Sequence, residues 1–132
     1  MILLDTHILL GCLRLNDFEV PPDMKAQIGR DDPLFVSVAT LWEIAIKFQS
    51  GKLSMNAPPQ AIPGMAEAFD LTVLPILSSH ALAGAEQSVP TKDPFDRLLL
   101  GVCEVENLKL MTLDRALISH PWAWKPKSRT AP

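Results

Sequence analysis

The sequence has no long apolar run. Its uncharged apolar stretches, of which Leu98 to Cys103 is one, fall far short of the roughly 20 residues that span a bilayer, so no membrane segment is expected. Nor does a basic leader with a small-residue cleavage site precede Asp5, so a signal peptide is not expected either, and a cytoplasmic protein is. Cysteine is scarce. Cys12 and Cys103 lie in apolar runs without metal-ligand spacing, which excludes a disulfide framework and points to buried free thiols in a reducing compartment. Basic residues are not in excess: 12 Lys and Arg against 15 Asp and Glu leave a net charge of -3. That argues against a general nucleic-acid-binding module with a basic face. Low-complexity tracts and internal repeats are also lacking.

What is present suits one globular domain. A chain of 132 residues, 48% apolar and 20% charged, can bury one core and is too short for two ordinary domains. Ile2 to Leu4 reads as a strand, Asp5-Thr6 as a polar turn, and Ile8, Leu9, Leu10 and Leu13 as the buried face of a helix. Leu34 to Val38 is a second strand. Ala39 to Gln49 carries Leu41, Ile44, Ala45 and Phe48 at helical spacing and stops at Gly51.

Pro58, Pro59 and Pro63 make Ser54 to Gly64 a flexible, insertion-like loop, followed by a short helix at Met65 to Phe69. Leu71 to Ile76 predicts a strand that ends early or lies near an edge because of Pro75. Ser78 is expected to cap a helix over His80 to Gln87. The clearest helix start is Asp93-Pro94-Phe95-Asp96, with a capping residue, proline at the first helical position and an acid further in; that helix runs to about Glu106 and ends at Asn107. Lys109 to Thr112 reads as a strand, and Asp114 is expected to open a last helix ending before Pro121. Strands alternating with helices imply an α/β fold with a mainly parallel sheet.

In such sheets, sites form at the carboxyl ends of the strands. Asp5 directly follows the first strand, Asp114 closely follows the last, and Asp93 and Asp96 open a helix packed on the same sheet. Glu43 lies inside an amphipathic helix, where its desolvation needs a cation or hydrogen-bond donors. Lys47, four residues on, is one candidate partner. Carboxylates gathered in one cleft repel one another, and a divalent cation neutralises them. Mg²⁺ or Mn²⁺ held by carboxylates and water suits hydrolysis of a phosphodiester. An enzyme built this way can be acidic overall and still meet phosphates through a local basic rim. Each acid also has a plainer role open to it, since caps and turns recruit Asp routinely.

Four segments carry a resemblance: Ile2-Leu3-Leu4-Asp5-Thr6-His7, Leu41-Trp42-Glu43-Ile44-Ala45-Ile46-Lys47, Asp93-Pro94-Phe95-Asp96-Arg97-Leu98-Leu99 and Leu110-Met111-Thr112-Leu113-Asp114. In identity and order they resemble the PIN-domain family, in particular the VapC-type toxins of bacterial toxin-antitoxin pairs, from Met1 to about Trp124. The resemblance implies a three-layer α/β/α nuclease domain over residues 1–124, with residues 125–132 as a flexible tail. It implies a Mg²⁺- or Mn²⁺-dependent endoribonuclease, usually a homodimer, inhibited by a small antitoxin. Asp5, Glu43, Asp96 and Asp114 match the family's catalytic, metal-binding acids, Asp93 is an additional metal ligand, and Thr6 and Thr112 match flanking hydroxyls. Where members often carry a histidine before the Asp-Pro-Phe-Asp-Arg segment, this chain has Thr91-Lys92.

Arg97, Lys92 and Arg115 adjoin the acids and are candidates for phosphate contact or for plain solvent-facing charges. His7, His80 and His120 are dispersed without a metal-ligand pattern, which favours hydrogen bonding at the core edge or exposure. Trp122 and Trp124 are expected to tie down the C-terminal segment by packing. A DNA-directed nuclease of the same fold, and a catalytically silent binding module whose acids are caps, remain the rival readings.

Overall fold

The computed structural model describes residues 1–89 and 91–126. Four short strands, β1 (Ile2–Leu4), β2 (Leu34–Ser37), β3 (Leu71–Leu74) and β4 (Lys109–Met111), form one parallel sheet in the order β3-β2-β1-β4. The expected α/β class holds. Between β1 and β2 lie α1 (Thr6–Cys12) and α2 (Pro22–Ile28); between β2 and β3, α3 (Val38–Gln49) and α4 (Ile62–Ala68); between β3 and β4, α5 (Ser78–Ala85) and α6 (Pro94–Glu106).

Strand alternation divides the core into two apolar clusters. Ile2, Leu4, Val36 and Met111 pack with Ile8 and Leu9 of α1, Ile44 of α3 and Ile62 of α4. Leu3 and Leu110 turn the other way, onto Leu99, Leu100, Val102 and Cys103 of α6. Helices therefore cover both faces, as a parallel sheet requires. α5 lies directly on α6 through two glycines: a Cβ at Gly101 would sit 2.4 Å from Gly84 N and 2.4 Å from His80 O. Only bare backbone fits there.

α6 forms as its start predicts. The Asp93 carboxylate accepts from Phe95 N at 2.9 Å, Pro94 follows, and Asn107 ends the helix in the left-handed region at φ 57°. β3 is an edge strand and stops before Pro75. His80, wholly buried, caps α5 from within, its Nδ1 accepting from Leu77 N at 3.1 Å.

Four expectations need correction. The helix α2 was not anticipated. Ser78 is the first residue of α5 rather than its cap, and the helix runs two residues earlier than expected at each end. The proline-broken stretch is not simply a loop: Pro59–Ala61 is a 3-10 turn leading into α4, whose Ile62 is fully buried. No helix follows Asp114 among the described residues. Its carbonyl accepts from Leu117 N and Ile118 N, but the chain then turns back so that Trp122 O and Trp124 N bond to the backbone of Leu110. The backbone bonds that return the chain to Leu110 take the place of a continued helix.

Trp122 and Trp124 pack against the core, and the Lys109 ammonium lies 4.8 Å from the Trp122 ring centre. Of the expected tail at 125–132, residues 127–132 lie outside the described residues. Among the described residues, no helix is long and apolar enough to cross a membrane.

Candidate metal and phosphodiester site

The chain runs outward from β1 to β3 on one side and returns to β4 on the other, so the strand order reverses between β1 and β4. At such a switch point the loops leaving the two strands diverge and open a crevice at their carboxyl ends. Asp5 leaves β1 and Asp114 follows β4 into this crevice. It is a cavity of about 250 Å³ lined by Asp5, Glu43, Asp93, Asp96 and Asp114, with Thr6, Lys47 and the non-acidic walls His7, Ile8, Phe18 and Leu113. Every acid picked out from the sequence reaches it.

Hydroxyls orient two of the acids. Thr112 Oγ1 donates to Asp5 Oδ2 at 2.6 Å, a contact across 107 sequence positions, while Thr6 N donates to Asp5 Oδ1 at 2.7 Å. Thr6 Oγ1 donates to Glu43 Oε1 at 2.5 Å, and Lys47 Nζ holds Glu43 Oε2 at 2.7 Å. Thr112 Oγ1 also accepts from Asp114 N at 3.0 Å. Glu43 is buried, so the lysine expected as its helical neighbour is paired with it, but inside the cavity wall.

The plainer roles are also realised. Asp5 caps α1, Asp93 caps α6, and Asp114 Oδ1 accepts from Ala116 N at 2.9 Å. Asp96 differs. Among the described residues its carboxyl accepts no hydrogen bond, and it faces four other acids. Burial, then the charges of Asp93, Asp5, Asp114 and Glu43, push it from 3.8 up to about 7. Burial raises Asp5 too, against the hydrogen bonds from Thr112 and Thr6 that lower it. The Lys47 ammonium is held charged, first by its bond to Glu43.

An all-oxygen donor set of this charge fits a hard divalent cation. Among the described residues no three acids converge into a closed ligand group. The acids line one cavity without closing on a point, and a cation there would take part of its coordination from water.

The basic neighbours behave otherwise. Arg97 Nη2 donates to Ala85 O at 2.7 Å, which ties its guanidinium to the end of α5, and neither Lys92 nor Arg115 lines the cavity. Where the resemblance leaves a histidine missing, Thr91 Oγ1 accepts from Asp93 N at 3.1 Å. Sequence reasoning missed His7 and Phe18 as wall residues. For His7 the signal was its place two residues after Asp5; Phe18 lies in a loop with no motif.

Residues 2–122 match the family described as PIN domain. No curated protein matches the chain. Among solved structures, the fold is similar to a toxin-antitoxin complex from Klebsiella pneumoniae, at 18% identity and a TM-score of 0.65 over 96% of this chain and 98% of that one. It is also similar to Mycobacterium tuberculosis VapC20, described as a toxin that cleaves the sarcin-ricin loop. There the identity is 12% and the TM-score 0.55, over 86% of this chain and 92% of that one.

Proposed function

Because this chain belongs to the PIN domain family, we propose that it is a Mg²⁺- or Mn²⁺-dependent endoribonuclease, the toxin of a type II toxin-antitoxin pair acting in the cytoplasm. The observation that carries this reading is the gathering of five carboxylates from four separate segments into one cavity at the strand-order reversal. Capping explains single acids; it does not explain their convergence, nor Asp96, which caps nothing.

Asp5, Glu43, Asp96 and Asp114 would hold the cation and perform the chemistry, with Asp93 as a further ligand. When bound, such an ion supplies a water of lowered pKa and a counter-charge for phosphodiester oxygens. The chain's own part is positioning. Thr6 and Thr112 fix the plane of the Asp5 carboxylate, Thr6 and Lys47 fix Glu43, and Asp96, whose carboxyl accepts no hydrogen bond among the described residues, is left available to the ion. Ile8, Phe18 and Leu113 supply apolar wall around the charges.

Protein partners fit the surface. Val38, Trp42 and Ile46 recur every fourth residue along α3 and are 38%, 61% and 44% exposed, with Phe95 packed edge-on against Trp42. An apolar stripe of this kind supports a homodimer. Likeness in fold to the toxin-antitoxin complex supports an antitoxin partner.

The test is cleavage of matched RNA and DNA panels by the purified chain with Mg²⁺, with Mn²⁺ and with EDTA. Internal cuts in RNA that need either ion are expected. Cleavage of DNA in preference, or no cleavage and no ion binding, would replace the reading by a DNA-directed nuclease or a silent module. Co-expression with the adjacent small open reading frame should yield a co-eluting pair, and light scattering of the free chain should give twice its mass.

A further inference from the structure

The acid cavity does not end at its carboxylates. Phe18 forms part of its wall and also part of a second cavity, of about 520 Å³, which continues towards Arg14 and Lys25. Beside Phe18, on the acid side, stands His7; the two rings are 5.9 Å apart between centroids and tilted by 36°. The imidazole is exposed, the phenyl ring half-buried. No hydrogen bond ties the His7 ring to another described residue.

The phenyl ring is fixed from beneath. Phe18 N donates to Asn16 Oδ1 at 3.0 Å, and the ring edge lies over Gly11, where an added Cβ would come within 2.9 Å of Phe18 Cδ2. Glycine at position 11 lets the loop settle onto α1 and seats the ring. The result is an aromatic pair, its imidazole exposed, beside the carboxylates.

The geometry points to a base-stacking subsite: His7, backed by Phe18, takes an unpaired base of single-stranded RNA next to the phosphodiester held at the acids. This rests on the ribonuclease reading above and deepens it by naming the form of the substrate. The rings are already in contact, so a base does not enter between them and stacks on the outer face of the imidazole instead. A base inside a duplex cannot offer its face this way, whereas loops, bulges and ends can. Charge adds little in the neighbouring cavity, where Asp17 and Glu19 offset Arg14 and Lys25. Recognition at this end therefore falls on stacking, which tolerates base identity better than hydrogen bonding does.

Binding of a fluorescent single-stranded RNA with a cleavage-resistant backbone, measured in Mg²⁺ and read by anisotropy, tests the subsite without cleavage. His7→Ala is expected to weaken binding about 5- to 100-fold, and His7→Phe, which keeps a ring but loses the imidazole nitrogens, to retain it. In a series of RNAs with one abasic nucleotide at successive positions, one position should bring the wild-type protein down to the affinity of His7→Ala and leave that variant unchanged. Phe18→Leu keeps an apolar side chain in the core, and should weaken binding while its melt stays near that of the wild type. Equal affinity of His7→Ala and wild type, an H7F protein as weak as the alanine variant, or an abasic series that never erases the difference would each overturn the subsite. A wild-type protein that cuts RNA while His7→Ala binds unchanged overturns the subsite alone; one that neither binds nor cuts RNA overturns the ribonuclease reading with it.

Discussion

Replacing Asp96 with asparagine separates the two roles an acid at a helix start can have. Asparagine keeps the size of the side chain and, because the Asp96 carboxyl accepts no hydrogen bond among the described residues, forfeits no contact. Ionising Asp96 in the folded chain means moving a carboxyl from 3.8 to about 7. At about 1.4 kcal/mol per tenfold change the full cost is about 4 kcal/mol. The group is only half-buried, and screening by water reduces this to about 1–2 kcal/mol. The folded value lies above the unfolded one, so the stability linked to the proton is complete below about pH 4 and lost as pH rises through about 7. Asp96→Asn should therefore stabilise the metal-free protein most at pH 8, by about 3–8 °C at roughly 3–4 °C per kcal/mol for a chain of this size. At pH 5 the gain should be less than half as large. Thermal melts in EDTA at the two pH values measure this, and parallel assays with Mg²⁺ should show cleavage down about 100-fold or more. No stabilisation at pH 8, an equal shift at both pH values, or retained cleavage would refute the reasoning.

Titration with Mn²⁺ or Mg²⁺ should raise the melting midpoint beyond the effect of matched monovalent salt, by about 2.7 kcal/mol at a hundredfold excess over Kd, and EDTA should reverse it. Thr112→Val removes the donor to Asp5 and the acceptor for Asp114 N at once. It should cost about 1–3 kcal/mol in urea melts and lower cleavage by more than the loss of folded protein, while Thr112→Ser restores most of both. Gly101→Ala forces a Cβ to 2.4 Å from the backbone of α5, and should lower stability by about 1–3 kcal/mol or more, read as a falling melting midpoint, with the metal-induced shift preserved in the protein that still folds.

The elements with strong local chemistry were readable from sequence. β1 and β2 announced themselves as short apolar runs, β3 as an alternating run rich in branched residues, β4 as the stretch between Asn107 and Asp114, and α6 by Asp93, Pro94 and Asn107. α2 went unread although it carries comparable punctuation, Pro21-Pro22-Asp23 across its start and Gly29 after it, with Met24 buried on its inner face. Its apolar residues are few, so periodicity over 7 residues gave little signal. The opposite error fell at Asp114. An aspartate that can start a helix can equally accept from the amide two residues on and close a turn. Only the return of Trp122 and Trp124 to Leu110, a tertiary pairing, decides between them.

Convergence of the acids is a different matter, because it depends on strand order, which no local pattern encodes. Asp5 and Thr112 meet only because β1 and β4, at opposite ends of the chain, pair as Ile2 with Lys109, Leu3 with Leu110 and Leu4 with Met111. In that register both strands end side by side, and the next residues, Asp5 and Thr112, face each other across the switch point. Had the strands lain in simple sequence order, Asp5 would neighbour the end of β2 alone and lose the Thr112 hydroxyl. The same pairing explains why Thr112 contributes twice. Its hydroxyl donates to the acid leaving one strand while it accepts from the amide of the acid following the other, so one side chain sets the relative position of both carboxylates. Residue types alone suggest a cation site; the parallel pairing of the first strand with the last supplies its geometry.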